Sequence, residues 1–341
     1  MANDRLRVCI VGTGARGNAH ATAWAASGEA EVAAVVDVLE DRAQELAAAF
    51  EAPLVFTDYR EAVQRDDIDV VSICTPAFYH EEVTIFAAEH GKHMLSEKPI
   101  AMRLDQADRM IATLNATGVV FVINFQSRFG DAPAAVRQAM RDRALGSPVM
   151  FRMHSATHIR PKLAMHDMDR GNGGPLNDFM THYFDYWRWL TGTNPVRVSA
   201  HGFTLAKDRP EIAHFANKAP DTATVALEYG SGDLAAFSIS WGLPPGVQPQ
   251  GRIDDILGPQ GALTPSRPRD GFKILREGGA SEEFGPYGGD SQLLLTQHAI
   301  RAIRGEEPVQ ASAEDARIAL AVTWAIYESL QQNGDPVEIA L

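Results

Sequence analysis

Leu6-Arg7-Val8-Cys9-Ile10-Val11, running directly into Gly12-Thr13-Gly14-Ala15-Arg16-Gly17, is the stretch that decides the fold. The first six residues read as a buried strand, and residues 16–27 carry the Ala/His/Trp spacing of a helix. Between them the glycines follow the order Gly12-x-Gly14-x-x-Gly17. A tight turn needs the first glycine, and close approach of a pyrophosphate to the backbone needs the second. The third lets helix and strand pack, and the helix N-terminus then faces negative charge. Asp37 closes the next strand, 20 residues beyond Gly17, the spacing of a carboxylate that holds an adenosine ribose. A purely structural turn is the alternative; the strand, turn, helix, strand and acid in this order favour a dinucleotide site made of Gly12, Thr13, Gly14, Ala15, Arg16, Gly17 and Asp37. A carboxylate accepts from a ribose 2′-hydroxyl and repels a 2′-phosphate, so NAD is expected over NADP. Arg42 could offset that repulsion by bonding a phosphate; its other reading is a solvated helix residue beside Asp41 and Glu45.

Outward from this unit the alternation continues. Strands are expected at 31–37, 54–56, 70–74, 93–96 and 119–124, with helices at 40–50, 80–90 and 104–115. This is the grammar of a parallel sheet with helices on both faces. Beyond Asn124 it changes. A helix at 133–143, a strand at 149–156 and a helix at 175–190 precede strands at 196–204, 222–229, 234–241 and 252–257 that follow one another directly. Such runs predict a mostly antiparallel sheet. Helices at 291–304 and 313–332 close the chain, and the Pro/Gly-rich stretch 242–251 reads as a loop. The expected fold class is α/β, with a Rossmann domain at 1–124 and an α+β domain at 125–341 for substrate binding and oligomerisation.

At 341 residues and 45% apolar, the chain can bury two cores. Its 44 acidic against 31 basic residues give a formal net charge of −13, which argues against nucleic acid or an anionic membrane as partner. Cys9 and Cys74 both fall in apolar strand-like runs, so neither a zinc site nor a disulfide is expected. The start, Met1-Ala2-Asn3-Asp4-Arg5, lacks a signal-peptide core, and no apolar stretch reaches membrane-spanning length. A cytoplasmic location is the expectation.

Glu97-Lys98-Pro99 follows the strand at 93–96. Ligands of open parallel sheets collect at the carboxyl ends of strands, so Lys98 is expected in the cofactor crevice, its backbone stiffened by the proline; a lysine here can also be simply solvated. The motifs Gly12-x-Gly14-x-x-Gly17, Cys74-Thr75-Pro76 with His80, Glu97-Lys98-Pro99, Gly173-Gly174 before Asp178-x-x-x-His182, and Ser312-x-Glu314-Asp315 occur in this order. Together they resemble the glucose–fructose oxidoreductase/inositol dehydrogenase/MocA (Gfo/Idh/MocA) family over nearly the whole chain. The resemblance implies a Rossmann domain followed by a domain with a large open sheet, and oxidation or reduction of sugars and polyols with NAD(H) or NADP(H). It implies that Thr75, Pro76, His80 and Glu97 line the cofactor and that Lys98 is catalytic, often beside a cis-proline. Assembly through the open sheet into a homo-oligomer, a dimer or tetramer, is also implied.

Asp178 and His182 are spaced to share one helix face, with Pro175 suited to the first turn. Met180, Phe184 and Trp187 fall on a separate apolar stripe that packs the helix. Alcohol oxidation needs a base for the hydroxyl proton, and histidine titrates near neutrality. An ordinary surface pair is the alternative; the resemblance makes His182 the acid/base and Asp178 its polar partner. Asp185, further along, reads as structural.

Ahead of this helix His154, His158, Arg160, Lys162, His166, Asp167 and Asp169 crowd one segment. Its readings are a solvated loop, a metal site, or a sugar-binding loop whose donors bond hydroxyls or an acidic group. Close metal-ligand spacing is absent, so no metal is expected. The resemblance points to His158, and to Arg128 after the last Rossmann strand, as substrate contacts. Arg128 could equally pair with an acidic surface group. Trp241, at a strand end, reads as core.

The expected activity is hydride transfer between NAD and a secondary alcohol or ketone of a sugar or polyol. Lys98 polarises the reacting oxygen or relays charge, His182 shuttles the proton, and Asp178 orients substrate or base. Two rivals remain: a redox-neutral glycoside hydrolase with retained NAD, and a non-enzymatic nucleotide-sensing regulator.

Overall fold

The structure is a computed structural model that describes residues 5–160, 162–249 and 251–341; the first four residues of the amino-terminal reading above lie outside them. The first part of the chain holds strands β1 (Leu6–Val11), β2 (Ala30–Val36), β3 (Leu54–Phe56), β4 (Val70–Ile73), β5 (His93–Ser96) and β6 (Phe121–Ile123). Its helices are α1 (Ala15–Ala26), α2 (Glu40–Ala49), α3 (Tyr59–Val63), α4 (His80–Glu89) and α5 (Leu104–Thr117). Next come α6 (Asp131–Arg141), β7 (Met150–His158), α7 (Gly174–Asp178) and α8 (Thr181–Thr191). Strands β8 (Pro195–Phe203), β9 (Thr222–Tyr229), β10 (Leu234–Leu243), β11 (Ile253–Gly258), β12 (Gly261–Thr264), β13 (Phe272–Leu275) and β14 (Ser281–Phe284) follow. Helices α9 (Ser291–Ile303) and α10 (Ala313–Gln331) and the short β15 (Val337–Glu338) end the chain.

Two compact units form: Met1–Gln126 with Asp290–Arg317, and Ser127–Gly289 with Ile318–Leu341. Residues 290–317, which the sequence reading placed with the second domain, are therefore grouped with the first.

In the first unit six parallel strands lie in the order β3-β2-β1-β4-β5-β6. Strands covered on both faces must be apolar throughout, and Val8 to Val11 and Val32 to Val36 are buried accordingly. The order reverses between β1 and β4. That is the topological switch point, where the carboxyl ends of neighbouring strands diverge and leave a crevice. The short α3, which the sequence reading missed, is capped by Asp58, whose carboxylate accepts the Arg60 N–H at 2.9 Å. Helix α9 packs on α1.

The second unit is built on nine strands in the order β14-β13-β12-β11-β7-β10-β9-β8-β15. All neighbours are antiparallel except β7 and β10. Alternation sets its faces: along β9, Ala223, Val225, Leu227 and Tyr229 are buried, whereas Thr224, Ala226 and Glu228 point away. Helix α8 lies on the inner face, with Trp187 against Phe151 at 5.5 Å and Phe184 against Phe237 at 5.7 Å between ring centres. Burial of each such ring is worth about 1.5–3 kcal/mol, which makes α8 the main anchor of this core. Strands β12, β13 and β14 were not anticipated, because glycines and prolines break them into four-residue pieces. No helix among the described residues is long and apolar enough to cross a membrane.

Candidate functional site

The glycine turn joins β1 to α1 at the switch point. Gly12 has φ +95°, and a β-carbon there would stand 2.9 Å from the Cys74 carbonyl group, so backbone conformation and contact both exclude a side chain. A β-carbon on Gly17 would lie 2.0 Å from the Gly12 oxygen; the helix start touches the turn directly. Gly14 differs: nothing lies within 4 Å of its β-carbon position. No neighbour among the described residues requires glycine there, while a pyrophosphate resting on the helix N-terminus would. Ala15 is exposed beside it.

Asp37, just past β2, is fixed by Thr13. The Thr13 backbone N–H and hydroxyl both donate to Oδ2, at 2.9 and 2.7 Å, and the Leu39 N–H donates to Oδ1 at 3.0 Å. Burial pushes the Asp37 carboxyl up, but these bonds and the charge of Arg42 outweigh it and hold the group below its ordinary value. Arg42 itself is exposed on α2. Across the crevice, Thr75 presents a buried hydroxyl with no hydrogen-bond partner among the described residues. Pro76 beside it is exposed.

His80 lies fully inside, one ring nitrogen 2.8 Å from the Pro99 oxygen and the other 2.9 Å from the Thr75 oxygen. It ties the Thr75 loop to the segment that carries Lys98, and burial lowers its pKa despite the two carbonyls. The Lys98–Pro99 bond is cis, and Lys98 is half-buried.

Glu97 is 4% exposed and gathers its neighbours. It accepts from the Arg16 guanidinium and, at 2.7 Å, from the Asn124 amide; His20 Nε2 stands 3.1 Å away, and the Lys98 backbone N–H reaches the second oxygen at 3.3 Å. Burial alone would raise its pKa, but the His20 bond and the charge of Arg16 hold the carboxyl well below its usual range. Gln292, at the start of α9, accepts from Arg16 at 2.7 Å and Asn124 at 3.0 Å, while Ser72 bonds the other nitrogen of His20 at 2.8 Å. Arg16 thus serves the network under Lys98. His20, Ser72, Asn124 and Gln292 were not singled out from the sequence; as isolated polar residues in apolar stretches they carried no spacing signal.

In the second unit the expected single helix is two. Met180 N–H bonds the Pro175 oxygen, five residues back, at 2.9 Å, and the ladder resumes with Tyr183 and Phe184 on Met180. The Leu176 carbonyl at this joint accepts from the Thr323 hydroxyl at 3.4 Å. Widened turns of this kind let a helix re-aim its side chains. Asp178 therefore ends α7 and His182 stands in the first turn of α8. Asp178 is buried and accepts from the Asn172 amide at 2.8 Å; His182 is half-buried. Met180, Phe184 and Trp187 are at most 1% exposed, the apolar stripe read from the sequence.

Arg128 forms a two-pronged pair with Asp185, both buried. The acid is an internal one on α8, and the guanidinium is committed to positioning that helix.

The segment after β7 folds against the loop at 204–221. Ile159, Ala206 and Ile212 form a small core, the Ala219 N–H bonds the His166 oxygen at 2.8 Å, and the Asn217 amide bonds Asp169 at 3.0 Å. His158 ends β7 opposite Leu243, and its Nδ1 is buried with no partner among the described residues; Arg160 Nε, His166 Nδ1 and Glu211 Oε2 are in the same condition. Trp241 is core as expected, 4% exposed, but its ring also meets the Arg160 guanidinium at 5.1 Å and the rings of His166 and Phe179 at 6.2 Å. His154 sits apart, bonded to Ser238 at 2.6 Å. Among the described residues no three His, Cys, Asp or Glu side chains are grouped to hold a metal ion.

Comparison with known proteins places these features. The family model described as an oxidoreductase family with an NAD-binding Rossmann fold matches residues 6–125, and the GFO/IDH/MocA C-terminal domain model matches 134–264. The chain is 28% identical over 339 residues to a myo-inositol 2-dehydrogenase of Thermotoga maritima, covering 96% of this chain and 97% of that protein. It is 27% identical to a scyllo-inositol 2-dehydrogenase (NAD(+)) of Bacillus subtilis, covering 98% and 96%. The crystal structure of an oxidoreductase domain protein from Kribbella flavida superposes with a TM-score of 0.84 at 22% identity, over 99% of this chain and 100% of that one, and shows the shared fold.

Proposed function

The chain belongs to the glucose–fructose oxidoreductase/inositol dehydrogenase/MocA family and is an oxidoreductase of CH–OH groups, and from that premise we propose that it is an NAD-dependent dehydrogenase of a sugar, polyol or sugar derivative. The observation that carries the cofactor is Gly14, open on the side where a pyrophosphate would lie, next to an Asp37 carboxylate held by Thr13. Thr75, with its buried hydroxyl, would complete the cradle, and Pro76 and Glu97 belong to the same crevice. Bound there, the nicotinamide supplies hydride acceptance or donation. An ionised Asp37 beside the ribose favours NAD, and the exposed Arg42 serves to keep that carboxylate ionised.

On the first unit, Lys98 would polarise the reacting oxygen, its backbone steadied by Glu97 and His80. On the second, His182 would take the hydroxyl proton during oxidation and return it in reduction, a role worth about 10²–10⁴-fold in rate. Asp178, held by Asn172, would bind an adjacent hydroxyl or orient the base. His158 would hold a further hydroxyl, while Arg128 acts through Asp185.

The test is turnover. Purified protein is incubated with NAD or NADP and a panel of inositols, aldoses and sugar acids while nicotinamide absorbance is followed. Reduction of NAD with one substrate class, lost in Lys98→Met and His182→Gln although NAD still binds, is the expected result. Turnover unaffected by both substitutions would overturn the assignment of roles; preference for NADP would overturn the reading of Asp37.

A further inference from the structure

The Trp241 indole collects groups that the proposed hydride transfer leaves unused. The Arg160 guanidinium lies 5.1 Å from the ring centre, and the His166 and Phe179 rings lie at 6.2 Å. Phe179 directly follows Asp178 at the joint before α8, so this cluster adjoins the helix pair that carries Asp178 and His182.

The cluster is rich in donors. The Arg160 backbone N–H donates to His166 Nε2 at 3.2 Å, so the neutral ring carries its proton on Nδ1. Burial lowers the His166 pKa, which keeps the ring in that neutral form. Among the described residues its Nδ1–H is buried without an acceptor, as is the Arg160 Nε–H, and His158 Nδ1 is a third buried nitrogen without a partner. Arg160 makes no ion pair among the described residues. Asp221, whose charge reaches His166, is engaged by the Leu205 and Ala206 N–H groups at 2.7 and 2.9 Å and by the Thr222 hydroxyl at 2.8 Å. A half-buried guanidinium over an indole, beside the neutral His166 ring and with no ion-pair partner among the described residues, is matched by a ligand of one negative charge. Its planar fork fits a carboxylate, whose two oxygens can take parallel N–H bonds.

We propose that Arg160, His166 Nδ1–H and His158 form a subsite for the carboxylate of an acidic sugar, a uronate or aldonate, as the substrate of this dehydrogenase; the proposal rests on the reading of the site given above.

The experiment compares kcat/KM for D-glucuronate and D-galacturonate with D-glucose and D-galactose in the wild type, Arg160→Gln and Arg160→Lys, alongside calorimetric titration of each variant with glucuronate. The wild type is expected to favour the uronates by about tenfold or more, and Arg160→Gln to lose about a hundredfold on them, chiefly through KM, against a much smaller loss on neutral sugars. Arg160→Lys, which keeps the charge without the fork, falls between, and it carries the comparison if Arg160→Gln lowers the melting temperature. Preference for neutral sugars, preference for sugar phosphates, or equal losses on both substrate classes would overturn the subsite while leaving the dehydrogenase intact. Glucuronate binding that depends on Arg160 without any turnover would support the subsite and sink the hydride reading instead.

Discussion

The carbonyl oxygen of Gly12 stands 2.0 Å from the point a β-carbon on Gly17 would occupy, whereas nothing lies within 4 Å of that point on Gly14. The two glycines therefore separate fold from ligand. Gly17→Ala forces backbone apart and is expected to cost at least about 1–3 kcal/mol, seen as a lower melting temperature. Gly14→Ala should leave the free protein within about 0.5 kcal/mol of the wild type and abolish most of the stabilisation that added NAD gives. Melting curves with and without NAD measure both. Full NAD stabilisation in Gly14→Ala would remove the pyrophosphate from this turn.

Thr13 commits two donors to one oxygen of Asp37. Removing the charge should change which nucleotide is used, since a neutral side chain no longer repels a 2′-phosphate. Asp37→Ser is expected to lower kcat/KM for NAD by about tenfold and to raise it for NADP, with Arg42 now able to meet the phosphate. Thr13→Val, which keeps the carboxylate but drops its hydroxyl partner, should weaken NAD without admitting NADP. A variant Asp37→Ser that still excludes NADP would show that discrimination lies elsewhere.

Arg128 and Asp185 are a buried pair, 4% and 1% exposed at their side chains. Removing either partner strands the other charge, a loss of about 3–5 kcal/mol. Asp185→Asn and Arg128→Met should each unfold at markedly lower denaturant, and the double variant should recover part of the loss. Equal stability of all three proteins would mean that the pair is solvated.

The first unit was legible because its signals are local. An apolar run, a glycine turn and an acid at the end of the next strand fall within residues 6–37, and β1 has the bounds read from the sequence. The supports of that site were not legible: Gln292 reaches Arg16 across 276 positions, and no periodicity announces such a bond. Helix α8 was read by its apolar stripe, yet the break at Phe179 and Met180 follows from a backbone register that side-chain pattern does not encode. The loop at 204–221 escaped for a further reason. The residues it packs against Ile159, namely Ala206, Ile212 and the half-buried Phe215, are too few and unevenly spaced to read as an element before Ile159 is placed beside them.

Four histidines set the response to acid. His80, His93, His166 and His298 all have pKa values lowered by burial. For His298, Nε2 accepts the Gln310 N–H at 3.1 Å while the other nitrogen meets Glu307 at 2.8 Å, so the neutral ring fits. A depressed histidine contributes stability that is complete above its unfolded value, about 6.5, and is lost as pH falls through the folded one. Melting temperature should therefore drop between pH 7.5 and 5, before Asp37 and Glu97, also depressed, begin to protonate near their lower values. His298→Gln should flatten part of that slope. A melting temperature that rises on acidification through this range would contradict the burial argument.

Glu97 offers the sharpest test of how the fold serves Lys98. One oxygen meets Arg16 and the Asn124 amide, and the other meets the Lys98 backbone N–H. All of these are donors, so Glu97→Gln, in either amide orientation, turns an NH₂ group against one of them. Arg16 also loses its counter-charge, although Gln292 still holds it. The substitution is isosteric, so the cost should be local: kcat lower by about tenfold or more, with a displaced pH–rate profile and a smaller change in KM for NAD. Glu97→Asp keeps acceptors on both oxygens and should recover part of kcat. A parallel fall in kcat and melting temperature with an unmoved pH profile would make Glu97 a packing residue alone, and Lys98 would then owe its placement to His80 and the turn at Pro99.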